Sequence, residues 1–264
     1  MYEFNYQAPA SLADATKAIA AAEDGKLLAG GMTLVPTLKQ RLARPSDLID
    51  LGRIAELKAI KVDGGTVTIG AMATHAEVGA SAAVQQAIPG LSWLASNIGD
   101  PAVRHRGTLG GSISNNDPAA DYPAALLALG ATIYTTKRQL SAADFFVGMF
   151  ETALELDEIV TAVSFPIPEK AAYQKFRNPA SRYAVVGVFV AKTGGGARVA
   201  VTGAGPSVFR VPAFEAALDR SFAAASLDGL TIDAGELNSD IHASADYRAH
   251  LVAVFAKRAV AEIS

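Results

Sequence analysis

Residues 99–121, GDPAVRHRGTLGGSISNNDPAAD, constrain this chain more than any other segment. They are rich in Gly, Asn, Asp, Pro and Ser and carry neither a helical nor a strand period. They sit between alanine-rich text at 74–97 and a wholly apolar segment, Tyr122 to Leu129. Long aperiodic segments within globular domains are usually functional, so this one is expected to be an ordered, working loop.

The text around it alternates strand and helix signals. Tyr2 to Tyr6 reads as a strand, Ser11 as the cap of a helix to about Glu23, and Lys26 to Ala29 as a second strand. A helix over Thr33 to Leu42 and a strand at Leu48 to Leu51 complete a βαβ-type unit. Leu57 to Val62 and Thr66 to Ile69 form a hairpin about Asp63-Gly64-Gly65, and short helices fill 74–97. Tyr122 to Leu129 is a helix and Ala131 to Thr136 a strand. Near Tyr173 a last part begins, with a hairpin of Ala184 to Ala191 and Ala197 to Gly203 and helices at about Pro212 to Leu218 and Ala245 to Ile263. This order predicts an α+β chain with units at 1–55, 56–172 and 173–264.

Two glycine turns carry the chemistry. In the first, Leu27-Leu28-Ala29-Gly30-Gly31-Met32-Thr33-Leu34, paired glycines between a strand and a helix let backbone amides converge on an anion. The second, Thr108-Leu109-Gly110-Gly111-Ser112, repeats that chemistry inside the long loop. One turn alone reads equally well as a plain bend, and the loop could be packed by its own Asn and Asp side chains. Two cradles together suit a dinucleotide pyrophosphate.

Other chemistries fall away. There is no cysteine in the 264 residues, hence no disulfide, thiolate metal site or cysteine-held cluster. A net charge of −3 gives no footprint for nucleic acid. Gly203-Ala204-Gly205 lacks the third glycine of a Rossmann fingerprint, and Asp24-Gly25-Lys26 lacks the first glycine and hydroxyl of a P-loop. His75, His105, His242 and His250 have no metal-ligand spacing, and no GxSxG elbow occurs. Arg104-His105-Arg106 is a local basic cluster that composition favours as a solvated loop face over a site facing phosphate or a partner protein. No uncharged apolar run approaches the roughly 20 residues of a transmembrane helix, and the first twenty residues do not read as a signal peptide. A soluble, cytoplasmic protein is the expectation.

LLAGGMTL at 27–34, TIGAMATH at 68–75, IGDPAVRHRGTLGGSISNNDPAADYPAALLALGA at 98–131 and YQKFRNPASRYAVVGVFV at 173–190 resemble the FAD-binding medium subunit of the molybdenum hydroxylases. The resemblance implies a vanillyl-alcohol-oxidase-like (PCMH-type), two-part FAD-binding domain followed by a C-terminal α+β domain. It implies that Leu27, Leu28, Ala29, Gly30, Gly31, Met32, Thr33 and Leu34, with Thr108, Gly110 and Gly111, hold the pyrophosphate of one noncovalent FAD. Thr74 belongs to the same set, Ile98 lines the cofactor, and Asp121 contacts the ribityl or flavin region. Lys175 lies near the flavin, and Tyr183 is an aromatic able to cover the isoalloxazine. No catalytic residue is implied. The expected partners are a small subunit with two two-iron two-sulfur clusters and a large molybdopterin subunit, in a dimer of heterotrimers. Electrons would leave for NAD⁺, a quinone or another acceptor. A stand-alone flavin reductase or oxidase, and a non-enzymatic nucleotide-binding module, are the competing readings. With no cysteine, this chain should leave iron–sulfur clusters to a partner.

Overall fold

A computed structural model describes residues 1–264. The chain opens with β1 (Asn5–Gln7), α1 (Leu12–Ala21), β2 (Gly25–Leu28), α2 (Leu34–Lys39) and β3 (Asp47–Asp50). The three strands are parallel in the order β1-β3-β2. Ser11 caps α1 by accepting from the Asp14 amide, as the sequence predicts, and Ala15 and Ile19 bury against Ile49, Leu51 and Ile54. The first strand starts later than expected, because Tyr2 instead lies under the guanidinium groups of Arg41 and Arg44. The second helix ends early, and Arg41 just beyond it adopts φ +60°.

The middle of the chain contains β4 (Ile60–Asp63), β5 (Thr66–Gly70), α3 (His75–Ala80), α4 (Ala82–Ala87), α5 (Pro89–Ser96), α6 (Pro101–Arg104), α7 (Leu109–Asn115) and α8 (Tyr122–Leu129). It continues through β6 (Thr132–Thr135), β7 (Gln139–Ser141), α9 (Ala142–Phe145), β8 (Phe146–Gly148), β9 (Glu151–Thr152) and β10 (Val160–Pro166). An antiparallel sheet of order β4-β5-β10-β6-β7 underlies these helices, and β8 and β9 form a separate hairpin. The β4–β5 turn has Gly64 and Gly65 both at positive φ, which matches the strand twist. Its first strand begins at Ile60 rather than Leu57, since Ala55–Lys58 is a 3₁₀ turn. Residues 99–121 are not loop throughout. Asp100 caps α6 with Pro101 at its first position, and Thr108 caps α7 by accepting from the Gly111 amide. Apolar α8 ends on Gly130 in the left-handed conformation.

The final part is an antiparallel sheet of β11 (Lys170–Arg177), β12 (Ala184–Thr193), β13 (Gly196–Thr202) and β14 (Phe209–Arg210), then α10 (Pro212–Arg220) and α11 (Ala245–Ile263). The apolar run of β12 is explained by burial on both faces. Val186, Val188 and Val190 face the α11 residues Leu251, Val252 and Phe255, while Phe189 and Ala191 join the core built around α8. The last sheet therefore grips the preceding part of the chain directly, and the architecture is α+β as expected.

Candidate functional site

A cleft of about 520 Å³ runs between the two glycine turns, floored by the start of β10 and reached at one end by the segment before β12. The first turn leaves the C-terminal end of β2. Gly30 has no room for a side chain, because a Cβ there would overlap the carbonyl group of Arg106 and meet Gly107 Cα at 2.9 Å. Gly31 follows at φ +74°, a conformation suited to glycine. The amides of Ala29, Gly30, Gly31, Met32, Thr33 and Leu34 donate to no acceptor in the chain. Successive unspent donors beside a cleft are an anion-binding arrangement that needs no lysine.

The second turn works differently from the expectation that its amides would also cradle the anion. Leu109 N–H donates to Ala73 O at 3.0 Å and Gly110 N–H to Ala71 O at 2.8 Å, while Gly111 N–H goes to Thr108 Oγ1 and Ser112 N–H to Thr108 O. These bonds stitch the turn to the chain after β5. A Cβ on Gly110 would lie 2.6 Å from Ala71 Cβ, so glycine here serves close backbone approach. What the second turn presents to the cleft is the bare surface of Gly110 and Gly111 together with Thr108 and Ser112.

Asp121, 4% exposed, also lines the cleft. Although it occupies the N-cap position of α8, its carboxylate does not cap the helix. Tyr173 donates its hydroxyl proton to Oδ1 at 2.5 Å, and Lys175 Nζ lies 2.9 Å from Oδ1 and 3.0 Å from Oδ2. Desolvation pushes the Asp121 pKa above the ordinary carboxylate value, against the opposing pull of Lys175 and Tyr173. Lys175 also donates to Asn97 O at 3.2 Å, next to Ile98, so one ammonium ties two segments of the cleft wall.

Of the residues marked in the sequence, Leu27, Ala29, Gly30, Gly31, Met32, Thr33, Leu34, Ile98, Thr108, Gly110, Gly111, Asp121 and Tyr183 come together on the cleft. Leu28, Thr74 and Lys175 do not line it. Leu28 lies beneath Gly31, and Thr74 forms a capping box with Glu77 at the start of α3 and a β-bridge to Thr108. Lys175 reaches the cleft only through its partners. Residues not singled out beforehand include the apolar Met72, Leu154, Ile159 and Val160, and the exposed Ser181 and Arg182. Only tertiary approach brings them there, and no local spacing marks them.

His75 also lines the cleft. Burial, with Arg104 nearby, lowers its pKa to about 4, so it is neutral at pH 7. Glu158 is fully enclosed; desolvation raises its pKa, but bonds from Arg138, Thr135 and the Glu155 amide outweigh this and hold it at about 2. No helix is long and apolar enough to cross a membrane.

Residues 2–168 match the family described as the FAD binding domain in molybdopterin dehydrogenase. Over 97% of this chain and 96% of its own length, the nicotine 6-hydroxylase medium subunit of Paenarthrobacter nicotinovorans is 36% identical. The carbon monoxide dehydrogenase medium chain of Hydrogenophaga pseudoflava is 33% identical over 97% of this chain and 96% of its own. A solved structure of carbon monoxide dehydrogenase from that organism superposes with a TM-score of 0.88 at 35% identity, covering 98% of this chain and 96% of the other. The donor-rich first turn, the glycine-to-backbone contacts that join it to the second, and a likeness spanning nearly the whole chain have one common explanation: the chain belongs to the FAD-binding medium subunits of the molybdenum hydroxylases, as an oxidoreductase component with a vanillyl-alcohol-oxidase-like FAD-binding domain.

Proposed function

We propose that this chain is the FAD-carrying electron-transfer subunit of a heterotrimeric molybdenum hydroxylase, assembled in the cytoplasm as a dimer of heterotrimers. A large molybdopterin subunit oxidises the substrate and a small iron–sulfur subunit relays the electrons. This chain delivers them to NAD⁺, a quinone or another acceptor. The parts 1–55 and 56–172 form the two halves of the cofactor domain, and 173–264 forms the domain that closes it.

The observation that carries this reading is the run of six unspent amides, Ala29 to Leu34, along a cleft with apolar walls. FAD supplies the redox chemistry, exchanging electrons singly or in pairs. The chain's own groups bind and orient. The amides of 29–34 neutralise the pyrophosphate, and Thr108 and Ser112 offer hydroxyl groups across from them. Ile98, Leu154, Ile159 and Val160 exclude water, Asp121 fixes the flavin end, and half-exposed Tyr183 is placed to cover it. The absence of cysteine from the sequence supports assigning the clusters to a partner.

The test is purification with accompanying chains, identification of those chains and their metals, and spectroscopy. The protein should be yellow, bleach with dithionite and recover with NAD⁺ or a quinone dye. A colourless chain that FAD cannot reconstitute overturns the reading.

A further inference from the structure

Tyr173 is absent from the cleft lining, yet its hydroxyl is committed to Asp121, a buried carboxylate that does line it. It is 1% exposed, sits on β11 two residues before Lys175, and donates to Asp121 Oδ1 at 2.5 Å. Residues i and i+2 of a strand share a face, so β11 presents a phenol and an ammonium side by side to the same carboxylate.

The sheet is shaped to admit this phenol. Gly187 interrupts the β-branched and aromatic run of β12, paired with Lys175 on one side and Thr202 on the other. A Cβ at Gly187 would overlap the Tyr173 hydroxyl and lie 2.9 Å from Thr202 Cγ2. Glycine within a strand weakens it and often marks the close approach of another group. On the next strand, Thr202 donates to Ala120 O at 2.5 Å, and the Gly203 amide to Pro118 O at 2.8 Å. Strands β11 and β13 thus hold residues 118–121 while β12 leaves room for the phenol, and the carboxylate does not accept from the amides of α8 that an N-cap aspartate ordinarily accepts from.

We infer that Tyr173 is a positioning residue for the flavin, acting through Asp121: its hydroxyl, seated in the slot left by Gly187, fixes the orientation and negative charge of the carboxylate that meets the cofactor. The inference rests on the flavin reading above. The other groups near Asp121 are Lys175 and Arg177 from β11, Tyr122 from α8 and Tyr183 before β12, and Asp117 of its own segment lines the same cleft. Among them Tyr173 and Lys175 donate to it. Burial already favours the neutral acid, and a donor to the charged form opposes that. Without the phenol, Asp121 binds a proton more readily when electrons arrive, and reduced flavin is less opposed by a neighbouring anion.

The experiment is spectroelectrochemical titration of bound FAD in protein purified with its accompanying chains. Tyr173→Phe, which keeps the ring, should raise the midpoint potential and make it fall more steeply with pH. In an Asp121→Asn background the same substitution should change neither. Gly187→Ala, which displaces the phenol while leaving Asp121 intact, should move the potential in the direction of Tyr173→Phe. An unchanged potential and pH slope in Tyr173→Phe, or an equal shift in the Asp121→Asn background, overturns the inference. So does Gly187→Ala with no shift or the opposite one. A wild-type protein that binds no FAD refutes the flavin reading itself; a yellow wild type with an unresponsive Tyr173→Phe refutes only this inference.

Discussion

Lys175→Met should be among the most destabilising single changes at the cleft. The Lys175 and Asp121 side chains are 5% and 4% exposed, and the ammonium contacts both carboxylate oxygens and the Asn97 carbonyl. Met keeps most of the volume but leaves a buried carboxylate with Tyr173 as its remaining side-chain donor. Breaking a buried pair from one side costs about 3–5 kcal/mol, a large part of the about 5–15 kcal/mol that holds a typical domain. At a urea slope of about 3 kcal/mol/M, the unfolding midpoint falls by about 1–1.7 M. The assay is urea unfolding followed by circular dichroism on FAD-free samples of both proteins, because any change in FAD affinity would otherwise enter the difference through ligand linkage. The pH arm fixes the cause. Loss of Lys175 raises the folded-state pKa of Asp121 further above its unfolded value, so the deficit is full above that folded pKa and shrinks on acidification as the carboxylate is neutralised. Adding Asp121→Asn to Lys175→Met should recover much of the loss. A deficit below about 0.5 kcal/mol, or one independent of pH, refutes the argument that a buried uncompensated charge is the cause.

Gly30→Ala forces the first turn away from the Arg106–Gly107 backbone; overpacking of this kind costs about 1–3 kcal/mol, and FAD affinity measured by flavin fluorescence should fall about 10–100-fold. Glu158→Gln removes a charge that accepts from Arg138 Nε at 3.0 Å and Nη2 at 2.9 Å, at a cost of about 2 kcal/mol at pH 7. Because the folded pKa lies near 2 and the ordinary value near 4.5, that advantage is complete above pH 4.5 and vanishes toward pH 2, where melting curves of the two proteins should converge. Asn116→Ala removes a left-handed helix end whose side chain donates to Gly148 O at 2.8 Å and Glu151 O at 2.9 Å. The β8–β9 hairpin should exchange its amide hydrogens faster in that variant, while those of α11 are unaffected.

Elements governed by local rules were legible in the sequence. Ser11 announces α1, Gly130 ends α8, and the two glycine-centred hairpins stand where alternation and turn residues put them. The helices inside 99–121 are hard to see in the sequence, although Asp100-Pro101 and Thr108 are good starts, because Gly and Ser give α7 little intrinsic preference. That helix is set by contacts with Ala71 and Ala73, which lie far away in sequence. Strand β10 joins β5 to β6 at the centre of its sheet and left no clear signal among the short pieces between residues 137 and 172. At the cleft, both glycine turns could be read, but not their division of labour: the first keeps its amides unspent while the second consumes them. Asp121 takes its partners from positions 52 and 54 residues away, a relation that no local spacing encodes.

A crystal structure of the FAD-loaded protein will show whether the amides of residues 29–34 hold the pyrophosphate while Asp121 meets the flavin end. Pyrophosphate oxygens should lie within hydrogen-bond reach of several of those six amides, with the isoalloxazine beside Asp121. A pyrophosphate bound elsewhere, with those amides facing solvent, contradicts this assignment.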